Sequence, residues 1–113
     1  MELSEETNGE VTIVAVVGRV DAGAARQFGE RIAALIQAGR SRLLIEASRL
    51  DYIGSMGLRA LLIASDRAAE SRGRLVLCGI TAPVRRVIDI GDFSSSLEVY
   101  PSREDALAEL CAG

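Results

Sequence analysis

Near the start of the chain, Val11-Thr12-Ile13-Val14-Ala15-Val16-Val17 forms an apolar, largely β-branched run that closes at Gly18. Branching at Cβ restricts χ1 and suits the pleated surface of a sheet, and a run with so little polar alternation reads as a buried strand. Such a strand needs cover. The rest of the sequence supplies it, as short aliphatic runs alternating with segments of helical periodicity.

Asn8-Gly9 is a dipeptide suited to a tight hairpin turn, and it predicts that Met1 to Thr7 pair antiparallel with the buried strand. After Val20, Asp21 is expected to cap a helix in which Ala24, Phe28, Ile32, Leu35 and Ile36 recur at three- and four-residue spacing up to Gly39. Leu43-Leu44-Ile45 reads as a short central strand. The segment Leu50-Asp51-Tyr52-Ile53 leads to a turn at Gly54-Ser55, where a second helix begins with Leu58, Leu61, Leu62, Ser65 and Ala69 on one face, ending at Arg72-Gly73.

Leu75 to Gly79 is the next strand, and Thr81-Ala82-Pro83 opens a third helix with Val84, Val87, Ile88 and Ile90 on its apolar side. Leu97 to Tyr100 reads as an edge strand. Pro101-Ser102 precedes a last helix with Ala106, Leu107 and Leu110 inward and Glu104, Asp105 and Glu109 in water. The order β-β-α-β-α-β-α-β-α predicts an α/β fold. Its mixed central sheet has about five strands, the first antiparallel, with about four helices and right-handed crossovers, all in one domain over residues 1–113.

Composition narrows the function. Apolar residues make up 49% of the chain, yet no run approaches the ~18 to 20 needed for a membrane span. The acidic start Met1-Glu2-Leu3-Ser4-Glu5-Glu6 does not resemble a secretory signal. The expectation is a cytoplasmic protein without membrane insertion, a monomer or weak dimer. All 13 basic residues are arginine, scattered along a chain of net charge −3, which argues against direct nucleic-acid binding.

There is no histidine, and with it goes the commonest acid-base and metal-binding side chain. Cys78 and Cys111 alone cannot complete a zinc site and are expected to be free thiols. A small enzyme built on Asp21, Asp51 and Ser55 would lack a general base, a metal set and a phosphate loop. The chain therefore reads as a non-enzymatic binding protein without a cofactor.

The stretch Leu50-Asp51-Tyr52-Ile53-Gly54-Ser55-Met56-Gly57-Leu58 runs from a polar turn straight into an amphipathic helix. On one reading Ser55 is an N-cap, contributing about 1 kcal/mol. On the other, the unpaired N–H groups and partial positive charge of a helix start suit a phosphate on the Ser55 hydroxyl, and Gly54 and Gly57 let a partner or a kinase approach the backbone. Helical projection puts Met56, Ala60 and Ile63 opposite the core face. They form either an exposed docking strip or, if Ile63 tucks under a loop, part of the interior.

With these residues in view, the chain resembles the STAS domains of bacterial anti-sigma-factor antagonists. Gly18-Arg19-Val20-Asp21 is similar to that family's glycine-x-apolar-aspartate, and Ile53-Gly54-Ser55-Met56-Gly57-Leu58 to its aspartate-serine-x-glycine-leucine switch. Further likeness lies in Arg74 to Gly79, Pro83 to Val87 and Ser102 to Leu107. The resemblance implies a partner switch: the unphosphorylated domain binds an anti-sigma factor that is also a serine kinase, which frees a sigma factor. The kinase then phosphorylates Ser55, and a serine phosphatase reverses the change.

The same resemblance places Asp21 beside the switch, though helix capping is an equally good reason for an aspartate there. Arg59, four residues beyond Ser55, is either a phosphate partner or a solvated arginine. One departure stands out, since the family's aspartate before the switch serine is Gly54 here. A STAS subunit of a transport or stressosome-like complex, binding constitutively without phosphorylation, is the alternative.

Overall fold

The computed structural model of the protein describes residues 1–91, 93 and 96–112. Its elements are β1 (Glu2–Asn8), β2 (Val11–Val20), α1 (Ala22–Gln37), β3 (Arg42–Ile53), α2 (Ser55–Glu70), β4 (Arg74–Cys78), α3 (Ala82–Ile90), β5 (Glu98–Tyr100) and α4 (Arg103–Ala112). The strands lie in the sheet in sequence order. β1 runs antiparallel to β2, and every later neighbour is parallel, which gives the expected mixed sheet.

A strand order that never reverses, joined by crossovers of one hand, puts all the connecting helices on one face. Accordingly α1, α2 and α3 share a core with Val14, Val16, Leu43, Ile45, Leu75 and Leu77. The alternate residues Val11, Ile13, Leu44, Val76 and Cys78 point the other way and are covered by Ala106 and Leu110 of α4. Period-two alternation thus builds two unequal cores from the same strands.

Two strands are longer than the sequence pattern predicts, and for one reason. β2 continues past Gly18 because that residue takes φ 97°, a left-handed conformation open to glycine, with register irregularities on either side. Its extension pairs Val17 with Arg49, Gly18 with Leu50, Arg19 with Tyr52 and Val20 with Ile53, so that the polar stretch after Ile45 becomes strand. Ladder hydrogen bonds outweigh the poor strand propensity of Glu46 to Asp51.

Smaller corrections concern helix faces. On α2 the buried positions are Gly57, Leu58, Leu61, Ala64 and Ala68, so the stripe runs through Ala64 and Ala68 in place of Ser65 and Ala69. Ala25, not Ala24, joins Phe28, Ile32 and Ile36 under α1. Ile90, expected inside, is 79% exposed, because α3 buries only Val84 and Ile88. At the far edge, Arg74 donates to Glu98 and to Glu109 of α4, and so ties the short strand β5 to its neighbours.

Cys78 is buried in the smaller core and Cys111 is exposed. Burial, aided by the charge of Glu46, pushes the Cys78 thiol up to about 11. A raised thiol pKa means a neutral, unreactive sulfur at mild alkaline pH. With iodoacetamide at pH 8, Cys111 should therefore label rapidly in the folded protein and Cys78 only after denaturation, as peptide mass mapping would read. Equal rates at both would contradict this packing.

Candidate functional site

The parallel pairing of β2 with β3 brings two helix starts to one edge of the sheet. Val20 pairs with Ile53 at the end of the ladder, and the Gly54 N–H donates to the Val20 carbonyl at 3.0 Å. Asp21 and Gly54 follow these partners directly, so α1 and α2 begin side by side. The Asp21 carboxylate accepts from the Ala24 N–H at 3.0 Å, and its capping role is real. Adjacency to the start of α2 is a separate consequence of the strand register.

At α2 the expected cap moves by one residue. Gly54 is the N-cap, in extended conformation, and no side chain caps this start. Ser55 is the first residue of the helix and is exposed. A residue already in the helical conformation is poorly placed to bond the next-but-one N–H, so the exposed Ser55 sits uncapped beside the unpaired donors of the first turn. A helix start with an uncapped, accessible hydroxyl favours negative charge on that oxygen.

The two glycines beside Ser55 serve different ends. A Cβ at Gly57 would lie 2.7 Å from Ile53 Cγ1 and 2.8 Å from Val20 Cγ1, both atoms of fully buried side chains. Gly57 is itself buried. It seats α2 against the strand ends, which corrects its reading as a point of partner approach: the missing side chain faces the core. Gly54 is half-buried, and a Cβ there would meet the Tyr52 hydroxyl at 3.2 Å.

Tyr52 and Arg19 are site residues that the sequence pattern did not single out. The Arg19 guanidinium stacks over the Tyr52 ring at 4.4 Å from its centroid. Both belong to the extended part of the β2–β3 ladder, where they are register partners. Their signal was visible only once that register was known. Together they put an exposed cation and an aromatic ring near Gly54, with the Tyr52 hydroxyl close to where a side chain at that position would begin.

Two of the three residues of the outward strip lie at the surface. Met56 is 55% exposed and Ile63 45%, while Ala60 is half-buried against α1. Ile63 does not tuck under a loop. Arg59 is exposed on the same side and makes no ion pair with a described residue. The strip lines a groove of about 460 Å³, whose other wall is α1, contributed by Ala22, Ala25, Arg26, Gly29, Glu30 and Ala33. Among the described residues no group of acidic or cysteine side chains could hold a metal ion, and no helix is long and apolar enough to cross a membrane.

A mixed sheet with helices on both faces and two helix starts paired at one edge defines a small α/β module built around an exposed serine. The chain belongs to the STAS domain family, whose model matches residues 2–106. It is similar to BtrV of Bordetella bronchiseptica, an anti-sigma factor antagonist by name, at 35% identity over 108 residues covering 96% of this chain and 93% of BtrV. Among solved structures, a Thermotoga maritima protein of the same description matches with TM-score 0.90 at 16% identity, covering 96% of this chain and 94% of that one. SpoIIAA of Bacillus, in its phosphorylated form, matches with TM-score 0.72 at 19% identity, covering 96% of this chain and 98% of its own.

Two substitutions test this division of α2 into buried and exposed sides. Gly57→Ala gains up to about 1 kcal/mol in helix propensity but forces a methyl against immobile neighbours, an overpacking cost of roughly 1–3 kcal/mol. The variant should melt several degrees below wild type. Ile63→Asp should stay within about 0.5 kcal/mol of wild type, as surface changes do. Thermal melts followed by circular dichroism check both, and a large loss for Ile63→Asp would place that residue in the core.

Proposed function

We propose that this chain is an anti-sigma factor antagonist of the cytosol, a binding protein whose contact with an anti-sigma factor is controlled by phosphorylation of Ser55. The observation that carries the reading is the exposed Ser55 hydroxyl on the first turn of α2, uncommitted to capping. The similarity to BtrV over nearly the full length of both chains supports the antagonist role. SpoIIAA, a structural neighbour, is known in unphosphorylated and phosphorylated forms.

On this reading the anti-sigma factor is itself the serine kinase. Unmodified antagonist occupies it and releases the sigma factor. Transfer of the γ-phosphoryl group of ATP forms a bond from Ser55 Oγ to phosphorus and releases ADP, while the hydroxyl proton passes to a base of the kinase. A serine phosphatase restores the hydroxyl by hydrolysis. Phosphate adds about −1.5 to −2 charges, which the helix start tolerates, so the switch alters the surface and leaves the fold intact. Asp21, Gly54, Met56, Arg59, Ala60 and Ile63, spread from the two helix starts along α2, make up the partner surface with Ser55.

A second reading has its own observation. Gly54 stands where the family's switch is expected to carry aspartate, and the Tyr52 hydroxyl, with Arg19 stacked on its ring, lies close to that position. A module so altered would bind constitutively, without phosphorylation, as a STAS subunit of a transport or stressosome-like complex.

Intact-mass and peptide analysis of protein from its native host, with calorimetric titration of Ser55 variants against the cognate anti-sigma kinase, separates the two. One phosphate on the Ser55 peptide is expected. Ser55→Ala should bind as wild type and melt within about 0.5 kcal/mol of it, because no cap is lost. Ser55→Glu should fold normally yet bind at least about tenfold more weakly, a difference of about 1.4 kcal/mol. Absence of phosphate together with equal affinities would favour the constitutive module.

A further inference from the structure

The groove between α1 and α2 has a floor of small side chains. Ala25, Gly29 and Ala33 line one wall and Ala60 and Ala64 the other, with Met56 and Ile63 rising along the edge. A Cβ on Gly29 would touch the Ala60 Cβ at 3.4 Å, so the two helices lie close and the floor is shallow and apolar. From Met56 to Arg67 the groove follows α2 for about 16 Å, the length of a three-turn helix.

Its charges are one-sided. Arg26, Arg59 and Arg67 line it, and Glu30 is the sole acidic residue among its lining. Glu30 is already engaged by Arg26 at 3.0 Å. Arg59 and Arg67, one on each side of Ile63, are in no ion pair with a described residue. On a chain of net charge −3 this is a local positive rim around an apolar stripe.

We infer that this groove receives a short amphipathic helix of the partner protein, apolar on one side and flanked by aspartate or glutamate, with Arg59 and Arg67 selecting for its charge. The inference rests on the proposed binding role and names the element of the partner that is bound. An extended segment would need free backbone groups to pair with, and the backbones of α1 and α2 are satisfied within each helix; a helix brings its own hydrogen bonds already made. A second copy docking by the same groove would set basic rim against basic rim, which a two-fold contact penalises. The groove is also open along the edge where Met56 and Ile63 stay exposed, a shape that suits the side of a helix.

The test uses two synthetic helical peptides of about four turns. They share a leucine stripe at i, i+3, i+4, i+7 spacing and differ only in polar face, all glutamate or all lysine. Titrated into isotope-labelled full-length protein and followed by NMR, the glutamate peptide should shift the amides of Gly29, Ala33, Ala60 and Ile63 saturably. The lysine peptide should bind at least about tenfold more weakly, and the pair Arg59→Glu with Arg67→Glu should reverse that order, with added salt shrinking the difference.

Equal affinity for the two peptides, shifts centred elsewhere, or no shifts with the glutamate peptide would overturn the assignment. So would groove shifts that depend on protein concentration without peptide, which would make this a self-association face. The peptides contain no kinase and require no phosphate. Their failure would leave the Ser55 switch standing, and failure of the Ser55 series with intact peptide binding would overturn the switch alone.

Discussion

The pairing of β2 with β3 is the contact on which the rest of the structure depends. It is the longest ladder in the sheet, and its last link is the hydrogen bond from the Gly54 N–H to the Val20 carbonyl. Because parallel neighbours run the same way, both strands end at the same edge and both following helices start there. The positive ends of α1 and α2 are thereby placed side by side, with Asp21 capping one and Ser55 riding uncapped on the other. Shortening this ladder by a few residues would leave β3 in the form its composition suggests and would separate the two helix starts.

Close approach is the second constraint, and it is met by leaving side chains out. Gly57 lets the first turn of α2 rest directly on Val20 and Ile53, and α1 and α2 meet through the small residues Gly29 and Ala60. The same economy shapes the surface. Two helices packed through glycine and alanine leave a shallow apolar channel between them, and Met56 and Ile63 on its edge stay exposed above these small side chains. Core packing and the outward strip are two sides of one arrangement.

Charge is distributed against the chain's overall sign. An acidic protein with arginine as its sole cation concentrates Arg19 near the helix starts and Arg59 and Arg67 along the groove. Guanidinium groups stack on aromatic rings and pair with carboxylates in a fixed fork, so they recognise shape as well as sign. The Tyr52 hydroxyl lies close to Gly54, with Arg19 stacked on the ring, so an aromatic and a cationic group stand near the start of α2.

The element order, the antiparallel first strand, the mixed sheet and the identity of the helices were legible in the sequence, because each follows from local rules: β-branched runs, glycine and proline stops, and apolar residues at helical spacing. Ser55 at a helix start and the side of α2 that carries Met56 and Ile63 were legible for the same reason, since a helix's outward face is set by its period; that Ile63 stays exposed on that face was decided by the tertiary structure. What tertiary structure alone decided depends on distant partners. The polar stretch from Glu46 to Asp51 became strand because β2 was there to pair with it, and Arg19 met Tyr52 through that register. Gly57 proved to be a packing glycine because Val20 and Ile53 close over it, and the cap fell to Gly54 because its N–H was taken by Val20. A local pattern fixes periodicity and chain direction; which residues meet across strands is settled only when the long-range ladder forms.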